Sequence, residues 1–347
     1  MTLFRLLIAL LLSGLLTVAL FAYHLFYRPN VLADADGPAY LYVRRGAGLV
    51  AVLDSLSRPG LLARPATFTR VARWRDYGTT AHPVRPGRYT LPPGAGNLAL
   101  LELLESGRAD TVEFVLKPFQ YLPQLPRQAG RQLDLDTTRL HALLRDNAYL
   151  TRRFGLDTAT VRTLFVPGRL RLGWTTPAAA LLDSIAARHG RFWTAVRQQR
   201  ADSLKMSRTQ VSVLASIVQR ETAQPTDRPL IAGVYLNRLR RGQPLQADPT
   251  LLWPLHGLGT RKRVLNVDKK VNSPYNTYRH RGLPPGPITT PYAAVLDAVL
   301  RPAQHKFIFF CARPDGSGFS DFAVTFAEHK RNAKRFQHRL DSLKIKF

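Results

Sequence analysis

The chain has 347 residues, 45% of them hydrophobic, which argues against disorder and leaves room for two or three domains. Its formal net charge of +27 favours a polyanionic partner such as nucleic acid, anionic lipid or an acidic cell-wall polymer. A basic proteome background would give the same charge without any partner. The single cysteine, Cys311, excludes an internal disulfide framework and a cysteine-rich zinc site.

The N-terminal residues form an apolar run. Leu6 to Tyr23 contains no charge and is about long enough to cross a hydrocarbon core of roughly 30 Å. A cleaved signal peptide or a buried core helix are the alternatives, but the bulky aromatics in HLFYRPN favour an uncleaved transmembrane anchor. Residues 1–35 are therefore predicted to be a single-pass anchor and a short polar linker, NVLADADGP. Arg5 and Arg28 flank the run and barely decide its orientation.

Two similar stretches follow the linker, at Tyr40–Leu56 and Gly87–Leu104. Each has a β-prone segment, a Gly-Ala-Gly turn and an amphipathic helix. Either an internal repeat or chance could explain this similarity. A helix between them is predicted to bury Phe68, Val71 and Trp74, and a strand is expected at Thr111–Lys117. These elements predict a small α/β module over residues 36–118.

Residues 119–347 are predicted to form a larger mixed domain, so the whole chain is assigned to the α+β class. The pattern from Leu133 to Lys205 is helical, with breaks at Pro167 and Pro177. A helix over residues 177–200 is predicted to bury Leu181, Leu182, Ile185, Phe192, Trp193 and Val196. A strand at Lys306–Ala312, a turn, a second strand and a basic helix at Phe326–Leu343 are expected near the C-terminus.

Glu221 is one of only five glutamates in the chain. It lies in a predicted helix with Ser207 and Gln210 as a capping box, and Pro225 ends that helix. Helical spacing places Glu221 on the face of Val211, Leu214, Ile217 and Val218, in the last turn, where the helix dipole disfavours a carboxylate. Both effects raise the pKa and suit a general acid. An ion pair with Arg220, Arg228 or Arg238 would instead lower the pKa and imply a structural role.

Polar side chains cluster after this helix. A second helix begins at Thr226 or Asp227 and ends near Gly242, with Asn237 on its polar edge. Gln246, Asp248 and Thr250 alternate in QADPT, and a Pro-rich loop follows a group of four polar or aromatic residues: Tyr275, Asn276, Thr277 and Tyr278. These residue types suit the binding of a sugar and equally suit an ordinary packed loop.

Taken in order, the blocks LASIVQRET, GVYLNRLRRGQPLQADPT, YNTYRHRGLPPGPI and FSDFAVTFAEHKRN resemble the endolytic murein transglycosylases, the MltG or YceG-like family. VRPGRYTLPPGAGNLALLELLESGR resembles the LysM-like module of that family. Two departures stand out. Gln219 replaces an acidic residue that many members carry, which leaves Glu221 as the carboxylate of its block. GRLRLGWTT, residues 168–176, lacks the expected acidic and aromatic pattern, so substrate contacts there are in doubt.

The resemblance implies an inner-membrane lyase whose domain outside the cytoplasm cleaves the MurNAc–GlcNAc bond of nascent peptidoglycan. Glu221 is the position that matches the catalytic glutamate, and the products would carry 1,6-anhydroMurNAc ends. Substrate contacts are predicted at Asn237, Gln246, Asp248, Tyr275, Asn276, Thr277 and Tyr278. The C6 hydroxyl is an intramolecular nucleophile, so one carboxylate suffices and no metal or cofactor is needed. Partnership with peptidoglycan synthases is likewise implied by the family.

Functions of other classes fit the sequence less well. A non-catalytic, membrane-anchored peptidoglycan-binding protein is the main alternative, and the presence of Glu221 argues against it. DNA binding is disfavoured because Lys and Arg are scattered and the anchor would hold the protein at a membrane. The sequence contains no H-E-x-x-H, G-x-S-x-G or S-x-x-K motif, which argues against a metallopeptidase or a serine hydrolase.

Overall fold

The protein is described by a computed structural model covering residues 2–32, 37–58, 60–253 and 264–342. Four residues of the predicted linker, 33–36, lie outside these ranges. The fold is α+β, with short strands and a majority of helices, as predicted. The chain divides into two compact units. The first contains Met1–Phe114, Gln132–Leu135 and Arg171–Pro177, and the second contains Val115–Arg131, Asp136–Leu170 and Ala178–Phe347. The domain limits at residues 35 and 118 stay predictions.

The first helix, α1, spans Thr2–Ala22 and continues into a π-helical turn at Tyr23–Tyr27. The most apolar 18-residue stretch within Leu3–Tyr27 has a mean hydropathy of 2.5, and none of it is buried in the protein. It is long and apolar enough to cross a membrane. A signal sequence would have the same length and composition.

The rest of the first unit is built from two β–turn–α segments, in the predicted order. The elements are β1 (Tyr40–Val43), α2 (Leu49–Leu56), α3 (Pro65–Trp74), β2 (Gly87–Thr90) and α4 (Asn97–Ser106). Strands β1 and β2 pair antiparallel, with Tyr40 opposite Thr90. Phe68 and Val71 of α3 are buried in the core as predicted, but Trp74 is 66% exposed. That prediction was wrong because Trp74 ends its helix and reaches past the core.

A buried polar network joins the end of the π-turn to this module. Asn30 is 1% exposed and donates to Oδ1 of Asn97 at 2.6 Å. Asn97, also 1% exposed, donates to the Leu25 carbonyl at 2.7 Å and to Oγ1 of Thr67 at 2.9 Å. The Arg64 amide in turn donates to Oδ1 of Asn30 at 2.7 Å. The chain that leaves the apolar helix is therefore part of the folded module.

The middle of the chain alternates strands and helices. In order these are β3 (Thr111–Leu116), α5 (Gln124–Gly130), α6 (Thr137–Arg145), α7 (Asn147–Phe154), β4 (Gly168–Gly173), α8 (Ala178–Phe192) and α9 (Ala195–Ser203). Strand β4 was not predicted, although its leucines are buried and its arginines exposed in strict alternation. The helix predicted over residues 177–200 is two helices, because Thr194 caps α9 by accepting from the Arg197 amide. Val196 is consequently exposed rather than buried.

The last elements surround one central helix. They are α10 (Arg208–Glu221), α11 (Asp227–Arg240), α12 (Asp248–Leu252), α13 (Ala293–Leu300), β5 (Phe309–Ala312), β6 (Ser320–Ala323) and α14 (Phe326–Ser342). Helix α10 packs against α9, α11, α12 and α13, so every residue from Val211 to Val218 is buried. Strands β5 and β6 form an antiparallel hairpin, as predicted, and α14 packs against it.

Candidate active site

The end of helix α10 carries Glu221. The helix begins with the predicted capping box, in which Ser207 accepts from the Gln210 amide and Gln210 accepts from the Ser207 amide. The sequence predicted one apolar face for this helix, whereas the middle of the helix is buried on all sides. Burial of α10 fixes the position and direction of its last turn, and therefore of the Glu221 side chain.

Glu221 is half-buried where it lines a pocket, and its carboxyl group accepts a short hydrogen bond. The hydroxyl of Tyr235, on α11, donates to Oε1 of Glu221 at 2.6 Å. Burial raises the pKa of Glu221 to about 7, although the Tyr235 hydrogen bond lowers it. The charge of Asp248 raises the pKa further and that of Arg238 lowers it. Near neutral pH the group therefore exchanges readily between its acid and its base forms.

An ion pair does not dominate this environment. Arg238 is the cation whose charge acts on Glu221, yet burial outweighs its effect and the pKa rises rather than falls. The guanidinium of Arg238 donates to the carbonyls of Ile308, at 2.7 Å, and Leu245, at 2.6 Å. Arg238 thus ties two neighbouring segments to α11 and leaves Glu221 poorly neutralised.

A second carboxylate belongs to the same pocket. Asp248 begins helix α12 and accepts a hydrogen bond of 2.5 Å from the Tyr278 hydroxyl. Burial and the nearby carboxylates, Asp248 first, raise the pKa of Tyr278, which keeps it a neutral donor. Gln246 lies beside them with a positive φ of 49°, and its amide donates to the Thr277 carbonyl. The strained backbone at Gln246 turns the chain between α11 and α12 around the pocket.

Aromatic side chains from the C-terminal hairpin and α14 form the opposite wall. Phe309 lies parallel to the ring of His329, with centroids 5.2 Å apart, and Phe326 is 61% exposed. Burial, with the Arg238 charge, lowers the pKa of His329, so its imidazole is neutral at neutral pH. The cavity measures about 290 Å³. Its described lining is Glu221, Tyr235, Arg238, Leu245, Gln246, Asp248, Tyr278, Phe309, Phe310, Phe326 and His329.

This pocket combines a carboxyl group of raised pKa, a second carboxylate and an aromatic wall, which is a suitable arrangement for acid–base chemistry on a sugar. A family model described as the YceG-like family matches residues 41–335, which is most of the chain. The chain belongs to the YceG-like family.

Proteins similar to this YceG-like chain include two named endolytic murein transglycosylase. The one from Bacillus subtilis is 36% identical over 138 residues, covering 38% of this chain and 37% of its own length. The one from Streptococcus pneumoniae D39 is 24% identical over 333 residues, covering 86% and 59% respectively. This chain therefore spans less than two thirds of either relative.

A crystal structure of a YceG-like protein from Listeria monocytogenes has a similar fold. Its TM-score is 0.53 at 22% identity, and the match covers 85% of this chain and 99% of that one. At this identity the likeness concerns the fold alone.

Four of the predicted site residues of this YceG-like protein line the pocket: Glu221, Gln246, Asp248 and Tyr278. The other four, Asn237, Tyr275, Asn276 and Thr277, are not among its described lining residues. Their substrate contacts stay predictions, and the contacts they do make are structural.

Those structural contacts hold the walls of the pocket. Asn237 donates to the carbonyls of His305 and Phe307, before β5. Tyr275 packs on Trp253, with ring centroids 4.2 Å apart. Asn276 donates to the carbonyls of Lys269 and Val271, and Thr277 accepts from the Ala247 amide through Oγ1. These contacts position the segments that carry Gln246, Asp248 and Tyr278.

Tyr235 and the aromatic wall were not predicted to be site residues. Tyr235 follows Glu221 by 14 residues and lies within the GVYLNR block. That block contributed to the family resemblance, but no role was assigned to Tyr235. Phe326 and His329 lie in the TFAEHK block, again quoted only for its resemblance. The spacing of either group gives no sign that it faces Glu221.

Proposed function

We propose that this chain is a membrane-anchored endolytic lytic transglycosylase, which cleaves the MurNAc–GlcNAc bond of nascent peptidoglycan to give 1,6-anhydroMurNAc ends. The observation that carries the proposal is the half-buried Glu221 carboxyl group, whose pKa is raised to about 7, at the edge of an open pocket. The two similar proteins named endolytic murein transglycosylase support the choice of substrate.

Glu221 acts first as the general acid. Its proton passes to the glycosidic oxygen as the bond from that oxygen to C1 of MurNAc breaks, and GlcNAc departs with a new hydroxyl group. Burial keeps enough of the carboxyl group protonated at neutral pH for this step. The negative charge of Asp248, in the same pocket, favours the positive charge that develops at C1.

Glu221 then acts as the general base. The ionised carboxylate removes the proton from the C6 hydroxyl of the same MurNAc as the C6 oxygen bonds to C1, and the acid form returns. No water is consumed. The Tyr235 hydrogen bond and the Arg238 charge both stabilise the carboxylate between the two steps. An intramolecular nucleophile competes well with water because its effective concentration is high.

Gln246 and Asp248 are proposed to orient the sugar from within the pocket, whereas contributions from Asn237, Tyr275, Asn276 and Thr277 remain predictions. Phe326 offers an exposed aromatic face on which a sugar ring could pack. Independence from metals and cofactors, glycan binding by a LysM-like module, and association with peptidoglycan synthases also remain predictions.

A single pass through the inner membrane, with the pocket outside the cytoplasm, completes the proposal. The buried position of Asn30 and its contact with Asn97 support an anchor rather than a cleaved signal sequence. Removal of the segment through Asn30 would take away part of the module and leave the amide of Asn97 with fewer partners.

The test is digestion of isolated murein by the full chain in detergent, with mass spectrometry of the products. We expect anhydro ends, lighter by one water than hydrolytic ends, and a rate that falls about 10²- to 10⁴-fold in Glu221→Gln. Glu102→Gln changes an exposed glutamate of the first unit and should leave the rate unchanged.

Other outcomes separate the alternatives. Reducing ends would contradict transglycosylation and favour hydrolysis with Asp248 as the second carboxylate. If wild type and Glu221→Gln both bind murein but neither yields products, the non-catalytic peptidoglycan-binding function would be favoured.

A further inference from the structure

One exposed region of the first unit lies directly beside the end of the apolar helix. Trp74, the last residue of α3, is 66% exposed and packs edge-on against Phe26, with ring centroids 5.1 Å apart. Phe26 belongs to the π-helical turn that continues α1. Tyr23 and Tyr27 of the same turn are also exposed.

This arrangement is fixed rather than loosely tethered. Helices α3 and α4 both pack on the π-turn. The Asn97 amide donates to the Leu25 carbonyl, and the guanidinium of Arg64 donates to the Pro29 carbonyl at 2.8 Å. A Cβ at Gly96 would lie 2.7 Å from the Tyr27 carbonyl oxygen, so the backbones touch where only glycine fits. The position of Trp74 relative to α1 is therefore set by the fold.

The length of the apolar helix sets the depth of Phe26. An α-helix rises about 1.5 Å per residue, so about 20 residues cross a hydrocarbon core of roughly 30 Å. A span that starts at Leu3 ends near Ala22, and one that starts after Arg5 ends near Leu25. The headgroup layer adds about 5–7 Å on each side. Either count places Phe26 within the headgroup layer.

We propose that Trp74 and the exposed face of α3 rest in the headgroup layer of the membrane, so that the first unit lies on the bilayer surface. Tryptophan and tyrosine favour this layer because their rings have both apolar and polar parts. Arg70 and Arg73 are exposed on α3, and an anionic lipid surface attracts arginines that lie beside it. The partner is a lipid surface that contains anionic headgroups. This inference rests on the anchoring proposed above.

The experiment uses the full chain with Cys311→Ser, reconstituted into nanodiscs that contain phosphatidylglycerol and phosphatidylethanolamine. Single cysteines at Leu11, Val50 and Trp74 carry a nitroxide label. Leu11 is 70% exposed in the middle of α1, and Val50 is 71% exposed on α2 of the same unit. Collision of each label with oxygen and with a water-soluble nickel complex reports its depth.

We expect the Leu11 label to collide mainly with oxygen, the Val50 label mainly with the nickel complex, and the Trp74 label to fall between them. The charge reversals Arg70→Glu and Arg73→Glu should together move the Trp74 label toward water. A Trp74 label as accessible to the nickel complex as the Val50 label, with the Leu11 label in lipid, would overturn this inference alone. A Leu11 label in water would overturn the anchoring itself.

Discussion

Two buried polar centres of this protein have opposite chemical characters. The Asn30–Asn97 centre of the first unit is neutral, and its amides meet carbonyls and hydroxyls at 2.6–2.9 Å. The Glu221 centre of the second unit holds an ionisable group beside an open pocket, with one hydrogen bond from Tyr235. Paired neutral amides stabilise a fold, because burial then costs little. A buried acid with few partners gains a raised pKa instead, which is useful for proton transfer.

Replacing Asn97 with leucine should have the largest effect on stability. The substitution keeps the branched shape of the side chain but removes the hydrogen bonds that Asn97 makes with Asn30, Thr67 and the Leu25 carbonyl. We expect the unfolding free energy of the first unit to fall by about 2–4 kcal/mol. Hydrogen exchange of peptides from α3 and α4 measures this loss. Asn272→Leu, at an exposed asparagine, is the control. Unchanged exchange at α3 and α4 would mean that the Asn97 contacts contribute little.

Replacing Glu221 with glutamine should stabilise the protein, and only at higher pH. The ordinary glutamate pKa of 4.5 rises to about 7 in the folded protein, so the folded state prefers the protonated form. Wild-type stability from this group is complete below pH 4.5 and is lost as pH rises to about 7. The variant lacks this loss, so its advantage should grow to about 3 kcal/mol across that interval.

Thermal denaturation of wild type and Glu221→Gln at pH 5 and pH 8 tests this difference. Glu102→Gln controls for the removal of a glutamate as such. A stability difference that is the same at both pH values would contradict the raised pKa, whatever the effect on activity.

Removing the Tyr235 hydroxyl should move the activity profile. The proposed mechanism needs protonated Glu221 in the free enzyme, so kcat/KM is expected to fall as pH rises through about 7. The Tyr235 hydrogen bond lowers this pKa, and Tyr235→Phe should therefore shift the fall to higher pH. A profile that shifts to lower pH, or does not move, would contradict the contact as a determinant of the pKa.

Neutralising Asp248 should move the same profile in the opposite direction and by less. Its charge raises the pKa of Glu221 and is a weaker influence than the Tyr235 hydrogen bond. Asp248→Asn should shift the fall of kcat/KM to lower pH. Rates measured from pH 5 to pH 9 on one murein preparation compare the two variants directly. Equal shifts of one sign would indicate a general disturbance of the pocket.

Local signals explain what the sequence predicted correctly. The capping box at Ser207 and the proline at 225 defined α10, and its apolar period placed Glu221 at a buried helix end. The β–turn–α segments and the C-terminal hairpin likewise depend on neighbouring residues. The family resemblance then selected Glu221 as the proposed catalytic residue.

Features that depend on contacts between residues distant in sequence were either not predicted or predicted wrongly. Helical spacing gives a face for Trp74 and Val196, but not how far the core extends along each helix. The wall at Phe309 and Phe326 depends on how the C-terminal hairpin packs, which no local pattern encodes. Composition likewise did not indicate that the Asn276 amide donates to two carbonyls of its own loop, and its predicted substrate contact stays a prediction.

The aromatic wall is synthesised after the helix that carries Glu221. Helix α10 emerges from the ribosome well before β5 and α14, so a growing chain carries Glu221 before Phe309, Phe326 and His329 exist. Without that wall the carboxyl group is more hydrated, and its pKa lies nearer the ordinary value of 4.5. In the proposed function, acid catalysis at neutral pH would therefore require a chain that is complete through α14.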